Sequence, residues 1–86
     1  MKVSNMTSSN GNKIANQFII ESEDGTYLQS YNSIIVKDTK GKIYLDEKYW
    51  NYSTTTSKYR NLFLGETTKE TLKKIKSGEY ELTNLN

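Results

Sequence analysis

The apolar residues of this chain change their spacing near its middle. In the first half apolar residues recur at intervals of two, as Phe18 and Ile20 or Ile43 and Leu45 do. In the second half they recur at intervals of three and four, as Tyr59, Leu62 and Phe63 do. Alternation puts apolar side chains on one face of a strand, and the longer interval puts them on one face of a helix. The pattern therefore predicts a sheet-forming half followed by a mainly helical half.

Three strands are predicted before this change of spacing. The pair Asp24-Gly25 separates the first two and favours a two-residue hairpin, because glycine tolerates a positive φ. The apolar phase shifts inside the second strand, which predicts a bulge or bend at residues 32–33. Residues 38–41 predict a second turn. The expected antiparallel meander consists of residues 17–23, 26–37 and 42–45.

Local capping signals place two short helices after the strands. A run of serine and threonine offers N-cap oxygens for the first helix, and Gly65 fits the left-handed position that ends it. Thr67 and Glu70 match a capping box, in which each side chain satisfies the other residue's backbone N–H. The second helix is expected to end at Gly78, and residues 79–83 form a closing strand.

These elements predict one small α+β domain. The expected sheet is antiparallel with three to four strands, the two short helices lie on one face, and the order is β-β-β-α-α-β. Residues 1–16 are polar and lack periodicity, so they are predicted to be a flexible N-terminal tail. Residues 17–86 are predicted to form the single α+β domain.

Composition argues against most catalytic chemistry. The chain has no cysteine and no histidine, which removes thiol nucleophiles, imidazole acid–base catalysis, disulfides and zinc fingers. Two pairs of carboxylates each flank a turn or a strand end, where acidic residues are ordinary. The longest apolar runs, such as residues 18–20, are too short to span a membrane. We therefore expect a non-enzymatic protein with no catalytic residue, metal site, cofactor or membrane association.

Positive charge is concentrated in one segment. The chain has a net charge of +2, whereas residues 47–78 hold seven basic residues against three acidic ones, a net charge of +4. Aromatic residues there can stack nucleobases while lysine and arginine neutralise phosphates. The same aromatic residues can instead anchor the helices to the sheet, with the charges solvated. The residues of this aromatic–basic stretch are Lys48, Tyr49, Trp50, Tyr52, Lys58, Tyr59 and Arg60.

Two further charged groups are candidate contact points for a partner. Lys69, Lys73 and Lys76 fall on one edge of the second predicted helix, where they can contact phosphates or an acidic protein surface, or simply face solvent. The two carboxylate pairs can contact a basic partner instead. These pairs are Glu23 with Asp24 and Asp46 with Glu47.

The segment from Trp50 to Leu64 carries a long motif, W-x-Y-S-x-T-T-x-K-Y-R-N-x-F-L. With this motif the chain resembles a family of small, functionally uncharacterised proteins encoded by phages and mobile elements of low-GC Gram-positive bacteria. The resemblance covers nearly all of residues 16–86 and includes residues 29–31 upstream and 77–80 downstream. Because that family has no characterised activity, the resemblance assigns no catalytic residue.

The resemblance implies a protein that acts by binding in the cytoplasm of a bacterial host. Our leading hypothesis is an inhibitor of a host defence system, of the anti-CRISPR type, that binds a host defence protein or ribonucleoprotein. The alternative is a small nucleic-acid-binding accessory protein that uses the lysine, arginine and aromatic surface. A third hypothesis is an enzyme or a nucleotide sponge, whose pocket of aromatic and basic residues would lie at a homodimer interface.

Overall fold

The computed structural model describes residues 1–86 as a six-stranded sheet with two helices packed on one of its faces. The elements are β1 (Lys2–Thr7), β2 (Lys13–Ser22), β3 (Gly25–Ser30), β4 (Ser33–Asp38), β5 (Ile43–Asp46), α1 (Thr54–Leu64), α2 (Thr68–Ser77) and β6 (Tyr80–Thr83). The strands lie side by side in chain order. Every neighbouring pair is antiparallel except β5 and β6, which are parallel. Neither helix has the length and apolar character required to cross a bilayer.

The predicted α+β class with two short helices is confirmed, but the predicted sheet is wrong in three respects. The sheet has six strands instead of three or four, it is mixed instead of wholly antiparallel, and five strands precede the helices. The element order is therefore β-β-β-β-β-α-α-β. The two helices return the chain to the end of the sheet where β5 begins, so β6 runs parallel to β5.

The predicted strand 26–37 is two strands joined by a tight turn. β3 ends at Ser30 and β4 begins at Ser33, and these two residues pair across the turn. Within the turn Tyr31 has a φ of 56°, in the left-handed region that glycine, asparagine or aspartate usually occupies. The bend expected at residues 32–33 is thus a complete reversal of the chain. A tyrosine at this position is not a turn signal, which explains the error.

Residues 1–16, predicted to be a flexible tail, contain β1 and the beginning of β2 in the structure. β1 pairs antiparallel with β2 and forms one edge of the sheet. Most of its side chains are exposed, and Met6 is the member that packs against the core. An edge strand placed mainly by backbone hydrogen bonds needs no apolar alternation, so the sequence gives no strand signal here.

The sheet has one covered face, where the core lies. Leu28, Val36 and Leu45 form a row across three strands on this face, and all three are fully buried. Phe63 of α1 and Ile75 of α2 pack against this core. Complete burial of a side chain of this size stabilises the fold by about 1.5–3 kcal/mol, so this row anchors the helices to the sheet.

No element covers the opposite face of the sheet. Its central row of Ile20, Tyr27, Lys37 and Tyr44 points away from the helices, because side chains alternate along each strand. All four side chains are partly exposed. We call this surface the open face, and its apolar and aromatic members are Val3, Phe18, Ile20, Tyr27, Ile34 and Tyr44.

The helix ends confirm the predicted capping signals. Ser53 caps α1 by accepting a hydrogen bond from the Thr56 backbone N–H, and Gly65 ends the helix in the left-handed conformation. Thr67 and Glu70 form both hydrogen bonds of the capping box at the start of α2. These local contacts fix where each helix begins and therefore which of its residues face the sheet.

Candidate binding surfaces

Arg60 is fully buried, in contrast to its predicted place on a phosphate-binding surface. Its guanidinium lies over the Trp50 ring, 5.1 Å from the ring centroid, and donates a hydrogen bond to the Trp50 carbonyl oxygen. Its Nη2 donates to Thr68 Oγ1 at 2.7 Å. Burial lowers the pKa of Arg60, and the Glu66 carboxylate only partly opposes this. Its remaining acceptors are side-chain oxygens of Asn51, Ser57 and Asn61.

Much of the long motif between Trp50 and Leu64 surrounds this buried arginine. The contacts join the turn before α1, the first two turns of α1 and the first residue of α2. The motif therefore encodes an internal hydrogen-bonded cluster, and Arg60 offers no exposed atom to a phosphate. Tyr52 and Lys58 are motif residues that remain exposed. We call this cluster the Arg60 clasp; it consists of Trp50, Asn51, Ser57, Arg60, Asn61 and Thr68.

Asp46, predicted as a contact for a basic partner, is also buried. Its carboxylate accepts hydrogen bonds from the backbone N–H groups of Lys48 and Tyr49, at 3.0 and 2.9 Å. It also accepts from the Leu85 backbone and the Asn86 side chain. Burial raises the pKa of Asp46, but these hydrogen bonds outweigh it and hold the pKa below its usual value. The carboxylate thus fastens the C-terminal residues to the turn after β5.

The other acidic pair lies in the hairpin turn between β2 and β3. Asp24 accepts hydrogen bonds from the Ser22 and Tyr27 hydroxyl groups and pairs with the Lys37 ammonium group at 3.3 Å. The Ser22 hydrogen bond is the largest of the contacts that lower the pKa of Asp24. Glu23 is exposed and makes no ion pair, and the same holds for Glu47 of the first pair. Only the glutamates of the two pairs are therefore free for a partner.

The three predicted contact lysines of α2 are exposed. None of Lys69, Lys73 and Lys76 makes an ion pair, and neither do the exposed Lys48 and Lys58. These five side chains are the free cations of the predicted basic segment. They all belong to α1, α2 or the turn before them, so the free positive charge of this segment is on the helical side of the molecule.

Glu66, which was not among the predicted candidates, is the buried acid of the helical half. Its side chain is 5% exposed and accepts hydrogen bonds from Lys74 and Tyr80 at 2.8 Å and from Thr71 at 2.6 Å. Burial raises the pKa of Glu66, but these three donors outweigh it and lower the pKa. The same contacts raise the pKa of Lys74. Glu66 and its three donors therefore connect the start of α2 to β6.

The predicted aromatic residues are divided between core and surface. Tyr49 and Trp50 are partly buried and pack against the core, and Tyr59 is also partly buried. Tyr52 is 69% exposed. The Tyr49 and Tyr52 rings meet edge to face with their centroids 5.4 Å apart. The four residues therefore do not form one continuous stacking platform.

A third tyrosine joins this pair around a small cavity. Tyr31, at the turn between β3 and β4, lines a cavity of about 370 Å³ together with Tyr49 and Tyr52. The buried hydroxyl oxygens of Ser30 and Thr56 lie 3.2 Å apart at this cavity. We call it the tyrosine cavity. One feature of the sequence marks Tyr31: it is an aromatic residue at the point where the apolar phase changes. The sequence does not show that Tyr31 lies near α1.

A wider and more open groove of about 890 Å³ runs beside α1. Leu62 is its only apolar lining residue. Four of its polar residues belong to the Arg60 clasp, where their oxygens already accept hydrogen bonds. The groove is therefore larger than the tyrosine cavity, but much of its polar lining already serves the Arg60 clasp.

Two ion pairs neutralise charges on the open face. Besides the Lys37–Asp24 pair, Lys42 and Glu81 lie 3.3 Å apart. The Lys37 ammonium group also lies 5.6 Å from the centroid of the Tyr27 ring. The open face is thus apolar and aromatic, with its charged groups paired among themselves.

Comparison with known proteins gives one match. Residues 1–79 match the model of a family of unknown function, DUF8033. No curated protein and no solved structure matches the chain.

Proposed function

Because the chain belongs to the DUF8033 family, whose function is unknown, we propose a function from its surfaces. The protein is a non-enzymatic binding protein that docks onto a protein partner through the open face. The observation that carries this proposal is that helices cover one side of the sheet, while the other side holds six apolar or aromatic side chains, one exposed and five partly exposed. A contiguous exposed patch of this kind is typical of interaction sites.

The chemistry of the open face favours a protein over a nucleic acid. Tyrosine and phenylalanine are enriched at the centres of protein interfaces, and charged residues are depleted there. Tyr27 lies next to Ile20 in the central row of the face, and Lys37 separates Tyr27 from Tyr44. The nearby lysines, Lys37 and Lys42, are in ion pairs. With its charges paired, the face has no excess positive charge to attract phosphates.

The proposed biological role is inhibition of a host defence system by a phage or mobile-element protein. The resemblance described above supports this origin, and the absence of histidine and cysteine agrees with action by occlusion. The partner is a host defence protein or ribonucleoprotein in the bacterial cytoplasm, of the kind that an anti-CRISPR protein masks. The open face would cover the partner's apolar surface, with Glu23 at its edge available to a basic side chain.

The test combines pull-downs of purified defence effectors with a plaque assay in a host that carries the same system. We expect capture of one effector and rescue of phage growth by the wild-type protein. The double variant Ile20→Thr/Tyr44→Thr places β-branched threonine, which suits a strand, at both positions but removes apolar area. It should therefore lose both effector capture and rescue of phage growth. Leu62→Ala removes an exposed apolar side chain from α1 instead and should retain both. Equal capture by the two variants would reject the open face as the docking site.

The alternative function, nucleic-acid binding, rests on a separate observation. Lys58, Lys69, Lys73 and Lys76 are exposed on the helices without an acidic partner. If they contact phosphates, the affinity for DNA or RNA must fall steeply as salt rises, and each lysine replaced by glutamine must reduce the slope by about one. A gel shift at low salt that shows no complex would exclude this alternative.

A further inference from the structure

We propose that the tyrosine cavity binds the base of a free nucleotide. The cavity is separate from the open face, because it lies at the end of the sheet where the β3–β4 turn meets the start of α1. Its volume of about 370 Å³ is at the small end of the range of roughly 300–1,000 Å³ that small-molecule sites occupy. A single base with its sugar suits this size better than an extended strand does.

Three aromatic rings surround the cavity. Tyr31 is 50% exposed and Tyr52 is 69% exposed, so the fold does not need either ring for its core. Tyr49 is partly buried and holds the Tyr52 ring in an edge-to-face contact. Aromatic rings that are fixed but accessible stack on nucleobases without regard to base identity. The arrangement therefore provides stacking surfaces for one planar ring.

The backbone of Tyr31 gives an independent reason to assign a role to its side chain. A tyrosine in the left-handed region is uncommon and unfavourable, whereas asparagine or glycine adopts it readily. Burial of the ring does not compensate, because half of the residue is exposed. Strained backbone of this kind concentrates at functional sites. The ring of Tyr31 is thus held beside the cavity against the local preference of the chain.

Polar groups around the rings suit the edge of a base. Asn32 and Ser33 line the cavity with a carboxamide and a hydroxyl group, beside the Ser30–Thr56 hydroxyl pair. Small-molecule sites typically combine an aromatic lining with a few such polar groups that orient the ligand.

The free cation nearest in sequence to the rings, Lys48, lies beside the tyrosine cavity and not in it. The Lys48 ammonium group is 6.0 Å from the centroid of the Tyr49 ring, is exposed, and makes no ion pair. Uncharged residues line the tyrosine cavity itself, and Lys48 lines a neighbouring cavity that shares Tyr49 with it.

The experiment is isothermal titration of the full chain with the four ribonucleoside 5′-monophosphates, with ribose 5-phosphate as the probe that lacks a base. We expect saturable binding of at least one nucleotide and none of ribose 5-phosphate. Tyr52→Ser should weaken binding by about fivefold or more, the loss expected for one stacking ring. Tyr44→Thr, on the open face, is the matched control and should bind as the wild type does.

A second variant separates a binding role from a structural one. Tyr31→Asn places a residue that tolerates the left-handed region at the turn, so the melting temperature should stay the same or rise while nucleotide binding weakens. A lower melting temperature with unchanged binding would show that the Tyr31 ring serves the fold. Failure of all four nucleotides to bind overturns the proposal, as does binding of a short single-stranded RNA alone. Neither result affects the protein docking assigned to the open face.

Discussion

At the scale of single residues, Arg60 connects the parts of the helical half. Its guanidinium is fully buried, and all of its acceptors are neutral oxygens. A buried charge is tolerated only when hydrogen bonds replace its lost hydration. These acceptors come from the turn before α1, from α1 and from α2. Removal of the guanidinium group should therefore loosen all three segments together.

Replacement of Arg60 by lysine is therefore expected to lower the free energy of unfolding by about 3 kcal/mol. Lysine keeps the positive charge, but its compact ammonium group cannot reach the Trp50 carbonyl oxygen and the Thr68 hydroxyl at the same time. Urea denaturation measures the change. Lys58→Ala, at an exposed position of the same helix, is the control and should stay within about 0.5 kcal/mol of the wild type. An Arg60→Lys protein with wild-type stability would contradict the structural role.

The same residue shows what a sequence can and cannot reveal about a site. An arginine close in sequence to aromatic residues is typical of a phosphate-binding surface and also of a buried cation–π contact. The amino-acid sequence does not distinguish these two structures. Tyr49, Tyr52 and Lys48 could be named from the sequence because they are local to one stretch. Tyr31 could not, since only the β3–β4 turn brings it to the start of α1.

At the scale of elements, Glu66 is the connection between α2 and the sheet. It precedes α2, and its carboxylate accepts hydrogen bonds from Thr71 and Lys74 on the helix and from Tyr80 on β6. Tyr80 belongs to the buried core cluster, so the contact reaches the centre of the molecule. Loss of the charge on Glu66 should therefore weaken the packing of α2 against β6.

Glu66→Gln is expected to lower the free energy of unfolding at pH 7 by about 2 kcal/mol. The pKa of Glu66 is lower in the folded than in the unfolded protein, so its stabilisation is fully present above the unfolded value of about 4.3. That stabilisation is lost as the pH falls through the folded pKa. The difference in free energy of unfolding between the two proteins should accordingly be smaller at pH 3 than at pH 7, as measured by urea denaturation.

Glu23→Gln is the control for this prediction. Glu23 is exposed and makes no ion pair, so its variant should follow the wild-type pH profile throughout. If the free energy of unfolding of the Glu66→Gln protein also showed the pH dependence of the wild type, the carboxylate would contribute nothing specific to the packing of α2.

Elements were predictable where their determinants are local. Both helices begin at side chains that bond to backbone groups three residues away, as Ser53 and Thr67 do. The strands at the two edges of the sheet were harder to predict from the sequence. β1 exposes most of its side chains, and the parallel pairing of β6 depends on the path of two helices. Neither property produces a recognisable pattern in the amino-acid sequence of the strand itself.

At the scale of the whole molecule, the two sides of the sheet have different chemistry. Five free lysines belong to the helical layer and the turn before it, within one continuous basic segment of the sequence. The open face is built from β1–β5 and has paired charges among apolar side chains. A partner that meets the open face and a phosphate-bearing ligand at the helical side can therefore bind without competing for the same residues.

The predicted boundary between a tail and a domain near residue 17 can be tested at this scale by removal of residues 1–12. The core cluster lies in β3–β6, and Met6 is the β1 residue that packs against it. We expect the shortened chain to keep its helical circular dichroism but to unfold at lower urea, with Met6→Ala reproducing part of that loss. Exposure of the long β2 edge should also promote self-association, measurable by sedimentation. A shortened chain without helical signal would mean that the sheet forms only when β1 is present.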